Sequence, residues 1–144
     1  MYEKAGRVKS ELLNLMIKHP YDKVVVEENL QAFRPGLSSA KTLMTLAQFN
    51  GVVRWICHSD LGSSVESINV NTARKSVGLK IDRKSKKKTK DQVLDWVARQ
   101  EKGIVWPEKV LKSGPNKGAV RLLEQCFDMA DAYVIGKSYF LLKN

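Results

Sequence analysis

Three acids split between the two ends of the chain carry the clearest chemical potential: Glu27 in "VVVEEN", and Asp128 with Asp131 in "FDMADAYVIG". Glu27 closes a run of β-branched residues, so it belongs at the end of a strand, on the edge of a sheet. Asp128 and Asp131 are spaced i, i+3 in a helical pattern, which puts both carboxylates on one face roughly 5–6 Å apart. Carboxylates set among Ala130, Ala132, Tyr133, Val134 and Ile135 need a counter-charge to stay ionised. A divalent cation such as Mg²⁺ supplies it, and oxygen ligands with retained waters suit Mg²⁺ or Mn²⁺. There is no Cys/His cluster with zinc spacing, and His19 and His58 stand alone.

The elements that must position these acids alternate between helix and strand. "EKAGRVKSELLNLMIKH" places Val8, Leu12, Leu15 and Met16 on one stripe and stops at Pro20, an amphipathic helix. "KVVVEEN" then reads as a strand buried on both faces. A second helix begins at Ser38 or Ser39, carries Leu43, Leu46 and Ala47 on a face, and stops at Asn50–Gly51. "VVRWICH" follows as a second strand, so a right-handed βαβ crossover is the default. "VESINVNTARKSVGLK" holds a short strand, a cap at Asn71 or Thr72, a brief helix and Gly78 as its end. A capping box, Thr89 with Gln92, launches the helix "KDQVLDWVARQ", with Val93, Trp96 and Val97 inward. "KGIVWPEKVLKSGPNKG" reads as a loop, and "AVRLLEQCFDMADAYVIGKSYFLL" as the closing helix.

Composition narrows the partners. With 144 residues, 43% of them hydrophobic, the chain has the size of one domain, 1–144. Lys and Arg number 25 against 15 Asp and Glu, a net charge of +10 that favours nucleic acid or an anionic surface. The densest basic stretch is "KIDRKSKKKTK", with Lys80, Arg83, Lys84, Lys86, Lys87, Lys88 and Lys90, and it belongs on the surface. No apolar run approaches the ~20 residues that span a bilayer, and no helix pattern joins a basic face to a large apolar one. A soluble, intracellular, DNA-associated protein of the cytoplasm is expected, with no membrane partner. Cys57 and Cys126 are expected as reduced, buried thiols.

In this order the residues resemble the RuvC-like Holliday-junction resolvases, members of the ribonuclease-H-like nuclease superfamily. Glu27 in "DKVVVEENLQAF" looks like that family's second metal-binding acid, followed by the helix containing "SSAKTLMTLAQFNGVV". "NTARKSVGLK" is similar to its basic segment ending in glycine. "KKKTKDQVLDWV" resembles the lysine before a "QV" helix start, which places Lys90 near the scissile phosphate. Asp128 and Asp131 fall on the family's D-x-x-D helix. Each motif alone is weak; their order along the whole chain is more specific.

The resemblance implies an α/β fold, a three-layer α/β/α ribonuclease-H-like domain with a mixed sheet. It implies an endodeoxyribonuclease that resolves four-way DNA junctions in recombination and repair, acting as a homodimer. The metal-binding set is then Glu27, Asp128 and Asp131. Two metal ions roughly 3.5–4 Å apart activate a water and steady the leaving oxygen of a phosphodiester. Lys90, with Arg74 or Lys75, neutralises charge at the scissile phosphate, while Lys84, Lys86, Lys87 and Lys88 hold the DNA backbone without reading much sequence.

One family feature has no counterpart here. The three antiparallel strands that begin the family's sheet, the first carrying a fourth acid beside a glycine, are missing upstream of the first helix. A fragment of a longer nuclease, a chain complemented by another polypeptide, and a catalytically weakened relative all fit that gap. Simpler readings of the same residues also stand. Glu27 would cap a strand and pair with a lysine, the two aspartates would face solvent, and the lysine run would be a solvated loop. Trp55, Trp96 and Trp106 are expected in the core rather than as base-stacking platforms. The alternative function is therefore a nucleic-acid-binding module without catalysis.

Overall fold

The computed structural model describes residues 1–28 and 39–143, in two compact units, 1–70 and 71–144. The chain is mixed α/β, with two small sheets of two strands each. No described helix is long and apolar enough to cross a membrane.

In the first unit, helix α1 (Tyr2–Lys18) leads into strand β1 (Lys23–Glu27), helix α2 (Ala40–Trp55), a π-helical turn (Ile56–Asp60) and strand β2 (Ser64–Ile68). The strands pair in parallel from Lys23 opposite Ser64 to Glu27 opposite Ile68. The ladder extends past both ends, with the Ser64 N–H donating to the Asp22 carbonyl at 2.8 Å and the Glu28 N–H to the Ile68 carbonyl at 3.0 Å. Lys23 reaches diagonally across it to Glu66 at 3.1 Å. Val24, Val25 and Val26 are only half-buried in this pair, not enclosed on both faces as their continuous run predicts.

The second expected strand, "VVRWICH", is helical. Neither Asn50 nor Gly51 ends α2, which continues through Trp55 into the π turn. The reason is packing: Phe49, Val52 and Ile56 recur at helical spacing, and that stripe joins Ala5, Leu12 and Met16 of α1 and Leu61 in one apolar cluster. An extended run would send alternate residues to opposite faces and lose this set. The parallel partner of β1 is instead "SVESI", a short strand with little apolar signature. Ser39 caps α2, accepting from the Thr42 N–H at 3.1 Å, while the alternative cap, Ser38, lies outside the described residues.

The second unit carries α3 (Val70–Ser76), α4 (Thr89–Gln100), β3 (Glu108–Val110), β4 (Val120–Leu122) and α5 (Gln125–Lys143). α4 packs on α5. Val93, Leu94 and Val97 are buried on α4; on α5 the buried set Cys126, Ala130, Val134 and Ser138 recurs every fourth residue. These are small side chains, which let two helix axes come close.

The stretch expected as an unbroken loop contains the antiparallel β3–β4 hairpin, closed around Gly114 and Gly118, both at positive φ. Its six strand residues are all exposed, so no apolar alternation announces it. The closing helix accordingly starts at Gln125 rather than Ala119, because Val120 to Leu122 are committed to the hairpin. Both cysteines are free and buried. Trp96 and Trp106 are half-buried and lie outside the fully buried core, and Trp55 is 61% exposed at the end of α2.

Candidate functional site

Glu27 is the last residue of β1 and is exposed there, as its place at the end of the β-branched run predicts. It opens onto a cavity of about 410 Å³ whose lining includes Glu28, Leu43, Phe49 and Asn50. The side-chain oxygen of Asn50 is buried with no hydrogen-bond partner. A buried acceptor left unpaired costs free energy comparable to a lost hydrogen bond. Two carboxylates and an amide are, by residue type, the hard oxygen donors that Mg²⁺ or Mn²⁺ prefers.

In the second unit, α5 carries Asp128 in its first turn and Asp131 one turn further, on one helix face as the i, i+3 spacing predicts. Asp128 is exposed, where its charge complements the positive end of the helix dipole. Asp131 is partly covered, and the Arg74 Nη2 donates to its Oδ1 at 3.2 Å. The counter-charge that the sequence demanded for this carboxylate is thus furnished by the protein itself. Arg74 is the more buried partner, its side chain 18% exposed against 33% for Asp131, and its Nε is buried without a partner.

Lys90, the second residue of α4, holds its ammonium 4.3 Å from the centre of the Phe127 ring. Phe127 immediately precedes Asp128, so this cation–π contact brings Lys90 to the end of α5 that carries the aspartates. On α5 a further cation, Lys137, lies against Trp96 and Tyr133 at 5.5 and 5.6 Å from their ring centres.

The basic stretch is organised by Gln92, though not as the expected capping box. Lys88, not Thr89, is the N-cap of α4, and it makes no side-chain cap bond. The Gln92 carboxamide reaches back instead. It accepts from the Asp82 N–H at 2.8 Å and donates to the carbonyls of Asp82 and Lys87, both at 2.9 Å. The amide side chain closes the basic loop on itself because it satisfies three backbone groups that a solvent-facing loop leaves open. Lys84, Lys86 and Lys88 are exposed at its tip, and Lys87 is engaged by Asp95.

Lys75 is exposed on α3 and, with Arg74, Lys80 and Arg83, lines a groove of about 320 Å³. Lys80 and Arg83 belong to the basic stretch "KIDRKSKKKTK", whereas Asn50 and Phe127 carry no chemical motif of their own, and their importance comes from placement. Among the described residues of either unit, no three His, Cys, Asp or Glu side chains group as metal ligands. Compared with family models, curated proteins and solved structures, the chain matches none.

Proposed function

We propose that this chain is a metal-dependent endonuclease that cleaves phosphodiester bonds in branched DNA, resolving four-way junctions as a homodimer on a ribonuclease-H-like scaffold. The observation that carries the reading is the start of α5. There Asp128 and Asp131 share one face, with Lys90 held beside Phe127 and Arg74 bonded to Asp131. Carboxylates for a cation, next to cations for a phosphate, are what phosphodiester hydrolysis needs in one place. The parallel β1–β2 pair, with Glu27 at a strand end, supports the scaffold.

Asp128 and Asp131 would hold a divalent ion, which would supply a nucleophilic hydroxide and stabilise the leaving oxygen, and Glu27 is a further candidate ligand by its type and its place at a strand end. Lys90 neutralises the phosphate that takes on charge, and its contact with Phe127 restricts where its ammonium can point. Arg74 holds Asp131 in one orientation through a charge-assisted hydrogen bond. The exposed lysines Lys84, Lys86 and Lys88, with Lys75, attract the DNA polyanion by charge.

The test is cleavage of an end-labelled four-way DNA junction, with Mg²⁺ and in parallel with chelator. Paired nicks that need Mg²⁺, and that disappear in Asp128→Asn and Asp131→Asn while junction binding persists, are expected. Normal cutting by both variants would end the metal-cage reading. The Arg74–Asp131 ion pair favours one second reading, a nucleic-acid-binding module without catalysis, because a carboxylate already neutralised has less need of a metal. That module would bind DNA with strong salt dependence and no metal dependence.

A further inference from the structure

The groove between α3 and the start of the basic loop is built, not incidental. α3 ends in a Schellman motif, with the Gly78 N–H donating to the Lys75 carbonyl at 3.1 Å and the Leu79 N–H to the Arg74 carbonyl at 2.9 Å. Gly78 sits at φ +76°, the left-handed conformation this turn requires. The turn sends Leu79 into the interior and returns the chain as Lys80, exposed, and Ile81, half-buried. Beyond it, Gln92 pins Asp82 through both its N–H and its carbonyl. The segment carrying Lys80 and Arg83 is therefore anchored at both ends.

Its lining has four cations, Arg74, Lys75, Lys80 and Arg83, and no carboxylate, over an apolar floor of Leu79 and Ile81. With Arg74 paired to Asp131, the like charges of Lys75, Lys80 and Arg83 along one concavity repel one another and concentrate a positive potential there, because low-dielectric walls focus the field. A ligand with regularly repeated negative charge and an apolar element between charges relieves that repulsion. A phosphodiester strand has both, in its phosphates and sugar edges. The tip of the loop is a poorer seat, because Lys87 at its centre is already paired with Asp95.

We infer that this groove seats the backbone of one nucleic-acid strand, with Lys75, Lys80 and Arg83 on consecutive phosphates. Arg74 is a positioning residue that ties the groove to Asp131. This rests on nucleic acid as the ligand, and it moves the main contact from the lysine run to the groove.

The experiment measures the dissociation constant of the full chain for a four-way DNA junction, without cleavage in chelator, across about 50–200 mM salt. Two triple variants remove equal charge: Lys75→Ala/Lys80→Ala/Arg83→Ala in the groove, and Lys84→Ala/Lys86→Ala/Lys88→Ala at the tip. All six side chains are exposed, and Arg74 stays in place to pair Asp131. The groove variant should bind about 100-fold more weakly at physiological salt. Its salt slope should fall by about 2–3, since each phosphate contact contributes ~0.9. The tip variant should lose less than about threefold, with its slope reduced by under ~1.

Equal losses in both variants would mean that net charge alone matters and would overturn the groove. So would displacement of the junction by polyglutamate as readily as by unlabelled DNA, which would point to an acidic protein partner. If the unaltered chain binds no DNA, the nuclease reading falls together with the groove. If it binds and cuts while the groove variant does the same, only the groove falls.

Discussion

Removing either partner of the Arg74–Asp131 pair should destabilise the protein unequally, and the inequality can be worked from the geometry. The bond is a single guanidinium-to-carboxylate contact at 3.2 Å, with Arg74 18% and Asp131 33% exposed. A hydrogen bond involving a charged group contributes about 1.5–3 kcal/mol when covered, whereas exposed ion pairs give about 0.2–1 kcal/mol. A carboxylate one-third in water belongs between those limits, at about 1–1.5 kcal/mol of coupling energy. Asp131→Ala should cost more, about 2 kcal/mol, because it leaves Arg74 covered with its Nε already unpartnered. Arg74→Ala should cost about 1 kcal/mol, since Asp131 can turn to solvent. Asp131→Asn keeps a carbonyl acceptor for the guanidinium and should lose less than about 1 kcal/mol.

The assay is urea unfolding of the four proteins of the Arg74→Ala/Asp131→Ala cycle, with a matched thermal melt. For a chain of this size each kcal/mol moves Tm by about 2–4 °C, so Asp131→Ala should fall by about 4–8 °C. The reasoning is refuted if the double variant loses the sum of the single losses, which would put the coupling near zero. It is refuted equally if Arg74→Ala proves the costlier change. Asp131→Asn then separates the residue's two roles, because a near-normal Tm with lost junction cleavage assigns the charge of Asp131 to chemistry rather than to folding.

Gly78→Ala should destabilise by about 1–2 kcal/mol, the cost of left-handed backbone for a residue with a Cβ, since nothing lies within 4 Å of the new atom to add a clash. Gly78→Asn should lose clearly less, because asparagine tolerates that conformation; thermal melts in which alanine matches the unaltered chain would show that the turn imposes no constraint. Burial pushes the Cys57 thiol up from its ordinary value of 9.0, and burial, then Cys57, pushes the Tyr21 hydroxyl up from 10.0. Unfolded, the thiol ionises at its ordinary value while the folded one stays protonated, so its contribution is fully present below pH ~9 and is lost as pH rises beyond it. Stability by urea unfolding should therefore decline as pH rises past about 9, and Cys57→Ser should flatten part of that decline; an unchanged slope in the variant would remove Cys57 as a cause.

The sequence by itself determined what depends on local pattern. The first helix and its stop before Pro20, the β1 strand ending at Glu27, the Ser39 cap, the glycine turn after α3 and the shared face of Asp128 and Asp131 all follow from periodicity, capping and spacing within a few residues. Tertiary structure decided the rest. "VVRWICH" has the β-branched composition of a strand, yet it is helical because Phe49, Val52 and Ile56 have α1 to pack against. The β3–β4 hairpin holds exposed residues whose pairing rests on main-chain bonds that side-chain pattern does not encode. Gln92 has the spacing of a cap and instead closes the basic loop, since the Asp82 backbone lies within its reach only after the chain has turned at Gly78. Likewise, the counter-charge of Asp131 comes from Arg74, 57 positions away in sequence. An ion pair across that separation is fixed by the packing of helices, not by spacing along either one.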